Sequence, residues 1–470
     1  MTYDVAVVGA GPAGLAAAVT AGRAGCRVAL LDAAPRIGGQ FWRHRADDDG
    51  GGHRDWDVFA GLRAGLTRSS VDYRAGTAVW LTERAPAGFR LHTVGGGSVE
   101  SRLLVLATGA YDRVLPFPGW DLPGVVTLGA AQALLAGSGV PVGRRVVVAG
   151  AGPFLLPVAT GLLTAGVEVL GVIEAGRPRR YARSPRTVAG VRAKLREAAG
   201  YAAVLARHRV PYHSGHVVVG AAGGPAPGGP AVTSVDVARL GPDGAPLPAT
   251  TRRLDCDALA VGFGFTPQLE LALALDCATR LDVDGNLVLS ADVAGQTTVP
   301  GVYAAGEVTG VGGATLALVE GRLVGAVTAV ASGRPAPFGE AEMARLLGRR
   351  AAMRRFAALM HDIHAPPAGW TAWLTDDTVV CRCEEVPVSR IRTAVREFGA
   401  TDARAVAGLC QAGRGWCQGR VCGYATALLT AQLRDRALDA ADLAVFAQRP
   451  LAQPVRLAEL AREDGQSGSA

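Results

Sequence analysis

The stretch Tyr3-Asp4-Val5-Ala6-Val7-Val8-Gly9-Ala10-Gly11-Pro12-Ala13-Gly14 decides how this chain folds. An apolar, β-branched run predicts a short buried strand. Three glycines follow at G-x-G-x-x-G spacing, and Leu15-Ala16-Ala17-Ala18-Val19 opens an apolar helix. Gly9 permits a tight turn, Gly11 lets the backbone approach a pyrophosphate, and Gly14 lets helix and strand pack closely. Pro12 and Ala13 complete the loop, whose free N–H groups and helix dipole would face phosphates. The next strand, Arg27-Val28-Ala29-Leu30-Leu31, ends at Asp32, 18 residues past Gly14, where an acid can accept hydrogen bonds from both hydroxyls of an adenosine ribose. Strand, glycines, helix, strand and acid in that order predict a dinucleotide-binding unit.

The glycine-rich turn Arg36-Ile37-Gly38-Gly39-Gln40 suits a backbone lying against a cofactor, and Leu103 to Ala110 reads as a buried strand running into the small-residue turn Ala107-Thr108-Gly109. Arg145 to Leu155 repeats the opening pattern, but Leu155 stands where the third glycine belongs, and the following strand, Glu168 to Ile173, again ends on an acid, Glu174. A leucine there pushes helix from strand and disfavours the usual pyrophosphate pose. The duplication is either a structural relic or a retained nucleotide site near Gly150–Gly152, for NAD(P), ATP or FMN. Val299 to Glu307 predicts one more strand, with Gly306 and Glu307 at its end. A helix over Ala314 to Ala331 then presents its N-terminus to the negative charge of a reduced flavin.

With 470 residues the chain exceeds one core. Its net charge of +7 is spread along the sequence, and Lys194 is the sole lysine. No arginine run is interleaved with aromatics, so nucleic acid is not an expected partner. The first strand starts at Tyr3, which leaves no room for a signal peptide, and no apolar stretch reaches the ~20 uncharged residues of a membrane span. The expectation is a cytoplasmic protein whose thiols stay reduced unless they bind metal.

Five of the eight cysteines fall between Cys381 and Cys422. Cys381-Arg382-Cys383 and Cys417-Gln418-Gly419-Arg420-Val421-Cys422 give C-x-C, 33 residues, then C-x4-C. Four thiolates in two close pairs suit zinc or a [2Fe–2S] centre. Helical stretches are predicted at Val388 to Phe398, Thr401 to Leu409 and Gly423 to Leu433. Cys26, Cys256 and Cys277 read as small buried residues. His361 and His364 read as solvated.

From Thr2 to about Ser332 the chain resembles the two-dinucleotide-binding-domain flavoproteins, including glutathione-reductase-like and ferredoxin-reductase-like enzymes. The resemblance implies FAD held by Gly9, Gly11, Pro12, Ala13, Gly14, Asp32, Gly39, Gln40, Ala107, Thr108, Gly109, Gly306 and Glu307. Asp32 stands where glutamate is usual and Glu307 where aspartate is usual. No C-x-x-C or C-x4-C pair lies in the flavin or central domain, so disulfide-reductase chemistry has no redox cysteines. From Val379 to Leu433 the chain resembles the bacterioferritin-associated ferredoxin, which implies a [2Fe–2S] cluster on Cys381, Cys383, Cys417 and Cys422. That family's simplest form ends in C-x-x-C, so Cys410 competes with Cys422 as last ligand.

The implied fold is α/β: two Rossmann-like domains of glutathione-reductase type plus a small helical C-terminal [2Fe–2S] domain. The expected boundaries are 1–120 with 285–333 for FAD, 121–284 for the inserted second nucleotide domain, 334–375 for a linker and helix, 376–434 for the cluster and 435–470 for a tail. The whole combination resembles the larger flavin subunits of opine oxidases, hydrogen cyanide synthase and hydroxyproline or proline dehydrogenases. That resemblance implies an amino-acid-oxidase-like flavoprotein partner, a hetero-oligomer, and electrons from C–N oxidation relayed through flavin and cluster. Two other readings compete: a self-sufficient NAD(P)H-dependent reductase, and a scaffold whose cofactors are structural. No catalytic base is assigned; Gln40, Arg113 and Glu307 lie on segments expected to approach the flavin.

Overall fold

A computed structural model describes residues 2–225 and 229–460, so the tail expected over Glu463 to Ala470 lies outside the described residues. The chain forms two compact units: 1–110, 267–354 and 447–470 in the first, 111–266 and 355–446 in the second.

The first unit is built on a seven-stranded sheet. The opening strand, Thr2–Val8, lies between the parallel strands Val28–Leu31 and Ser98–Leu106, and Val71–Arg74 flanks Val28–Leu31. The C-terminal half of Ser98–Leu106 pairs with Val302–Ala304, while its N-terminal half pairs antiparallel with Gly88–Thr93. Strands covered on both faces need continuous apolar runs, and Val5, Ala6, Val7, Val28, Leu30, Leu104 and Val105 are all fully buried. The helices Pro12–Arg23 and Ala314–Ala331 cover one another across the nucleotide end of this sheet. They pack that closely because Gly321 and Gly325 face backbone: a Cβ on either would lie 2.1 Å from the Ala13 carbonyl oxygen or 2.5 Å from that of Ala17.

Ala314–Ala331 is also the one described helix long and apolar enough to cross a membrane, a property not expected from the sequence; 61% of it is buried inside the protein.

The second unit repeats the plan with a five-stranded parallel sheet in the order Tyr212–Ser214, Glu168–Glu174, Arg145–Gly150, Ala258–Gly262, Val125–Thr127. A three-stranded antiparallel sheet, His216–Gly224, Ala231–Arg239 and Arg252–Asp255, joins it. The cysteine-bearing segment belongs to this unit and shares its core. Buried Leu115, Phe117, Trp120, Val217 and Leu259 pack in one cluster with Trp370, Trp373, Val388, Ile391 and Leu429. The Trp120 indole donates to the Val379 carbonyl at 2.5 Å, and the Trp373 indole to that of Pro116 at 2.9 Å. Buried indoles without such partners would be costly.

Candidate functional site

In the first unit the predicted loop is a set of backbone contacts only glycine allows. Gly9 has φ +103°, and a Cβ on it would lie 2.3 Å from the Ala107 carbonyl oxygen. A Cβ on Gly14 would lie 1.7 Å from the Gly9 oxygen. The helix therefore starts directly at Pro12, with an α-type bond from the Leu15 N–H to the Gly11 carbonyl. Gly39 (φ +60°) leans on Gly11, and Gly306 (φ +83°) on the Ala13 methyl. The Ala107 N–H donates to Val8, the Thr108 hydroxyl to the Gln268 carbonyl, and the Gly109 carbonyl accepts from the Gln268 N–H. Residues 9–14, 39, 107–109 and 306 thus converge, whereas the Gln40 side chain is exposed.

Two observations fit this cradle to a dinucleotide. A Cβ on Gly11 would meet no protein atom nearer than 3.9 Å, so the open space at that glycine belongs to a ligand. The helix N-terminus at Gly11 has no side-chain cap and no acid in its first turn; its orphan donors are free for phosphate. Asp32 is tied more tightly than expected. Its two oxygens accept from Ala10 and Ala34 at 2.5 and 2.7 Å, so it braces the loop. Burial raises its pKa, and those two N–H bonds oppose the rise.

Glu307 accepts from the N–H groups of Gly312 (3.1 Å) and Gly313 (2.9 Å), the latter capping the helix Ala314–Ala331. These N–H groups therefore already face a carboxylate, which corrects the expectation that this helix end waits for a reduced flavin. Burial pushes the Glu307 carboxyl up to about 7.

Behind it stands a network that no sequence motif announced. Glu320, 3% exposed on the same helix, accepts from the Gly306 N–H at 3.0 Å and the Thr309 hydroxyl at 3.1 Å. Arg350 and Arg354 from the helix Glu340–Ile363 both close on its other oxygen, at 3.0 and 2.7 Å. Arg354 also donates to the Gly310 carbonyl at 2.7 Å. One buried carboxylate and two guanidinium groups thereby fix the turn that begins at Gly306.

The second glycine motif folds differently. Gly150 packs on Gly262 as Gly9 does on Ala107, and nothing lies within 4 Å of a Cβ on Gly152. With Leu155 buried in the third position, the helix begins only at Leu155, and the preceding turn is of 3₁₀ type: Leu155 N–H to Gly152, Leu156 N–H to Pro153. Glu174, 1% exposed, is folded back onto the Gly152 and Gly176 N–H groups, the latter at 2.6 Å. The His364 ring lies 3.3 Å from it, so His364 is buried against a carboxylate and not solvated as expected.

In the C-terminal part the helices Val388–Arg396, Ala403–Cys410 and Gly423–Leu433 stand close to their predicted positions. They carry the hairpin Val379–Cys381 and Val386–Pro387 against the loop before Gly423. The thiols of Cys381 and Cys417 each hydrogen-bond with that of Cys422, and Cys383 with Cys417. Backbone N–H groups point at the sulfurs: Gly413, Glu384 and Cys383 at Cys381, and Val421 and Gly419 at Cys417. The Cys422 thiol, helped by these amides, pulls Cys381 down to about 6 and Cys417 to about 5. Cys410 stands outside the string, its thiol donating to the Val406 carbonyl at 3.2 Å. Among the described residues no three or more His, Cys, Asp or Glu are grouped as one metal ion requires. The thiols form a string of pairs. The buried ring of Phe446, unforeseen from the sequence, lies against Gly413, Gly419 and Gly423 of the loop. Arg420 donates to the Tyr111 hydroxyl at 2.7 Å, and Arg113, 3% exposed, stacks over Tyr424.

A family model described as pyridine nucleotide-disulphide oxidoreductase matches residues 3–333. The chain belongs to this family. The matched span agrees with the flavoprotein resemblance read from the sequence. An opine oxidase subunit from Agrobacterium tumefaciens (strain Ach5) is 33% identical over 486 residues, 98% of this chain and 91% of the relative. Hydrogen cyanide synthase subunit HcnB of Pseudomonas protegens is 31% identical over 437 residues, 90% of this chain and 91% of the relative. In fold, the chain is similar to the crystal structure of L-proline dehydrogenase from P. horikoshii, with a TM-score of 0.70 at 21% identity, covering 98% of this chain and 80% of that one. This member of the family is an FAD-dependent oxidoreductase.

Proposed function

We propose that the chain is the electron-relaying flavin subunit of a cytoplasmic complex that oxidises the C–N bond of an amino acid, imino acid or opine. Its substrate-oxidising partner would be an amino-acid-oxidase-like flavoprotein. The observation that carries this reading is the string Cys381–Cys422–Cys417–Cys383, with backbone amides aimed at its sulfurs. A donor set of thiols alone, hydrogen-bonded from the main chain, suits an iron–sulfur cluster. A flavin takes electrons in pairs and releases them singly, and a [2Fe–2S] cluster carries one at a time.

The division of labour among this chain's residues follows. Gly9 to Gly14 would bind the pyrophosphate on open N–H groups, and Asp32 fixes the loop that does so. Glu307 and the Glu320–Arg350–Arg354 network set the turn at Gly306. Cys381, Cys383, Cys417 and Cys422 would hold the cluster, with Cys410 outside it. The relatives named above are called subunits, which supports a partner chain. The competing reductase reading needs a working second motif, and there the helix starts late and Glu174 is already engaged by Gly152 and Gly176.

Replacing Cys383 with Ser should abolish bound iron and acid-labile sulfide while flavin stays, and Cys410→Ser should keep all three. Full iron and sulfide in the Cys383 variant, or their loss from the Cys410 variant, would refute the ligand set.

A further inference from the structure

The second unit carries a cleft of about 520 Å³ that the function above does not use. Its size lies within the range of small-molecule sites. Arg177, Arg179, Arg180 and Arg183, which follow the strand Glu168–Glu174, form one side of it. Arg239, at the end of the strand Ala231–Arg239, joins them. The lining contains no acidic residue.

Two of these guanidinium groups are used within the fold. Arg180 holds Asp362 at 2.8 Å, and Arg177 donates to the Leu240 carbonyl at 3.3 Å. Arg179, Arg183 and Arg239 have no carboxylate partner among the described residues, although salt bridges elsewhere engage many comparable surface arginines. Like charges gathered on a concave wall repel by about 1 kcal/mol per close pair even in high dielectric. An anion in the cleft reverses that term. Guanidinium forks match phosphate oxygens two at a time, which a solvated lysine would not do.

The cleft is not the glycine motif. Gly150 and Gly152 are absent from its wall, and Glu174 has turned back onto Gly152 and Gly176. Leu240 and Leu247 add apolar surface to the wall. The space also exceeds the ~30 Å³ share of a water-sized group many times over, more than a bare phosphate fills. We propose that this cleft binds a phosphorylated organic small molecule, with its phosphate held by Arg179, Arg183 and Arg239 and its body against Leu240 and Leu247.

Isothermal titration of the flavin-loaded full chain with ADP and, separately, with inorganic pyrophosphate tests this at constant ionic strength. Flavin already occupies the Gly9–Gly14 loop in that protein. Saturable binding is expected for both probes, tighter for ADP. The double variant R179E/R239E should weaken both at least tenfold. R186E, a charge reversal on an exposed arginine outside the wall, should leave them unchanged. Arg179 and Arg239 have no carboxylate partners among the described residues, so thermal unfolding of the double variant should match wild type. Absence of saturable heat, or binding that R179E/R239E leaves within twofold, would overturn the site. Pyrophosphate binding as tightly as ADP would overturn the organic ligand. The site is independent of flavin and cysteines, so neither result bears on the relay.

Discussion

Replacing Gly14 with alanine adds one carbon atom where the structure has no room. The new Cβ would lie 1.7 Å from the Gly9 carbonyl oxygen, a backbone atom that no rotamer can move. Restoring an ordinary carbon–oxygen contact requires the helix Pro12–Arg23 and the loop to part by about 1.5 Å. The helix cannot retreat freely, because Gly321 and Gly325 of Ala314–Ala331 already press on the carbonyls of Ala13 and Ala17. Overpacking of this kind costs about 1–3 kcal/mol, and clamping from both sides places the cost near the upper end. The shift also misaligns the amides meant for the pyrophosphate. Losing two charge-assisted hydrogen bonds at about 1.5–3 kcal/mol each raises the flavin dissociation constant by roughly a hundredfold or more. The assay is the flavin-to-protein absorbance ratio after gel filtration, beside the urea midpoint. Gly152→Ala supplies the control: with φ +111° and nothing within 4 Å, it strains its own turn but should leave the flavin ratio intact. A Gly14→Ala protein with wild-type flavin content and midpoint would refute the packing argument.

Glu320→Gln leaves Arg350 and Arg354 facing a neutral group. It should destabilise the flavin unit by about 3 kcal/mol in urea unfolding; a change under about 0.5 kcal/mol would mean that the network is ornamental. For Glu307, the folded carboxyl titrates near 7 against 4.5 for the free group. The folded state therefore binds the proton more tightly. That contribution is whole below pH 4.5 and is lost as pH rises through about 7. Flavin-free wild type should accordingly lose unfolding midpoint relative to Glu307→Gln between pH 4.5 and 7, with a constant gap above about pH 8. Parallel curves across that range would contradict the burial of this carboxyl.

What the sequence disclosed is chemistry that acts locally. Glycine spacing forces the Gly9–Gly14 turn wherever it occurs, and apolar periodicity placed Ala314–Ala331 at its observed limits. The consequence of Leu155 was also legible, since a side chain at that position must delay the helix. Glu320 was not legible, because its partners Arg350 and Arg354 come from a later helix. The fate of Glu174 depends on His364 and Gly176 closing over it, which no spacing rule encodes. The cysteine segment reads as a separate domain because its motif is self-contained. In the structure it shares a core with the second parallel sheet through Trp120, Trp370 and Trp373. Isolated tryptophans carry no periodicity that would announce a partner more than two hundred residues away. Asp32 falls between these cases: its position was read correctly, but its short side chain reaches the Ala10 and Ala34 amides first.

The relay requires one chain to hold both a flavin and an iron–sulfur cluster, with no nicotinamide donor of its own. The direct measurement is made on anaerobically purified protein: iron, acid-labile sulfide and flavin analysis, with visible and EPR spectra before and after NADH, NADPH and then dithionite. Iron and sulfide should be present in equal amounts alongside flavin, neither nucleotide should bleach the flavin, and dithionite should bring up the EPR signal of a reduced [2Fe–2S] centre. Flavin without labile sulfide, or rapid bleaching by NADH or NADPH, would contradict the relay.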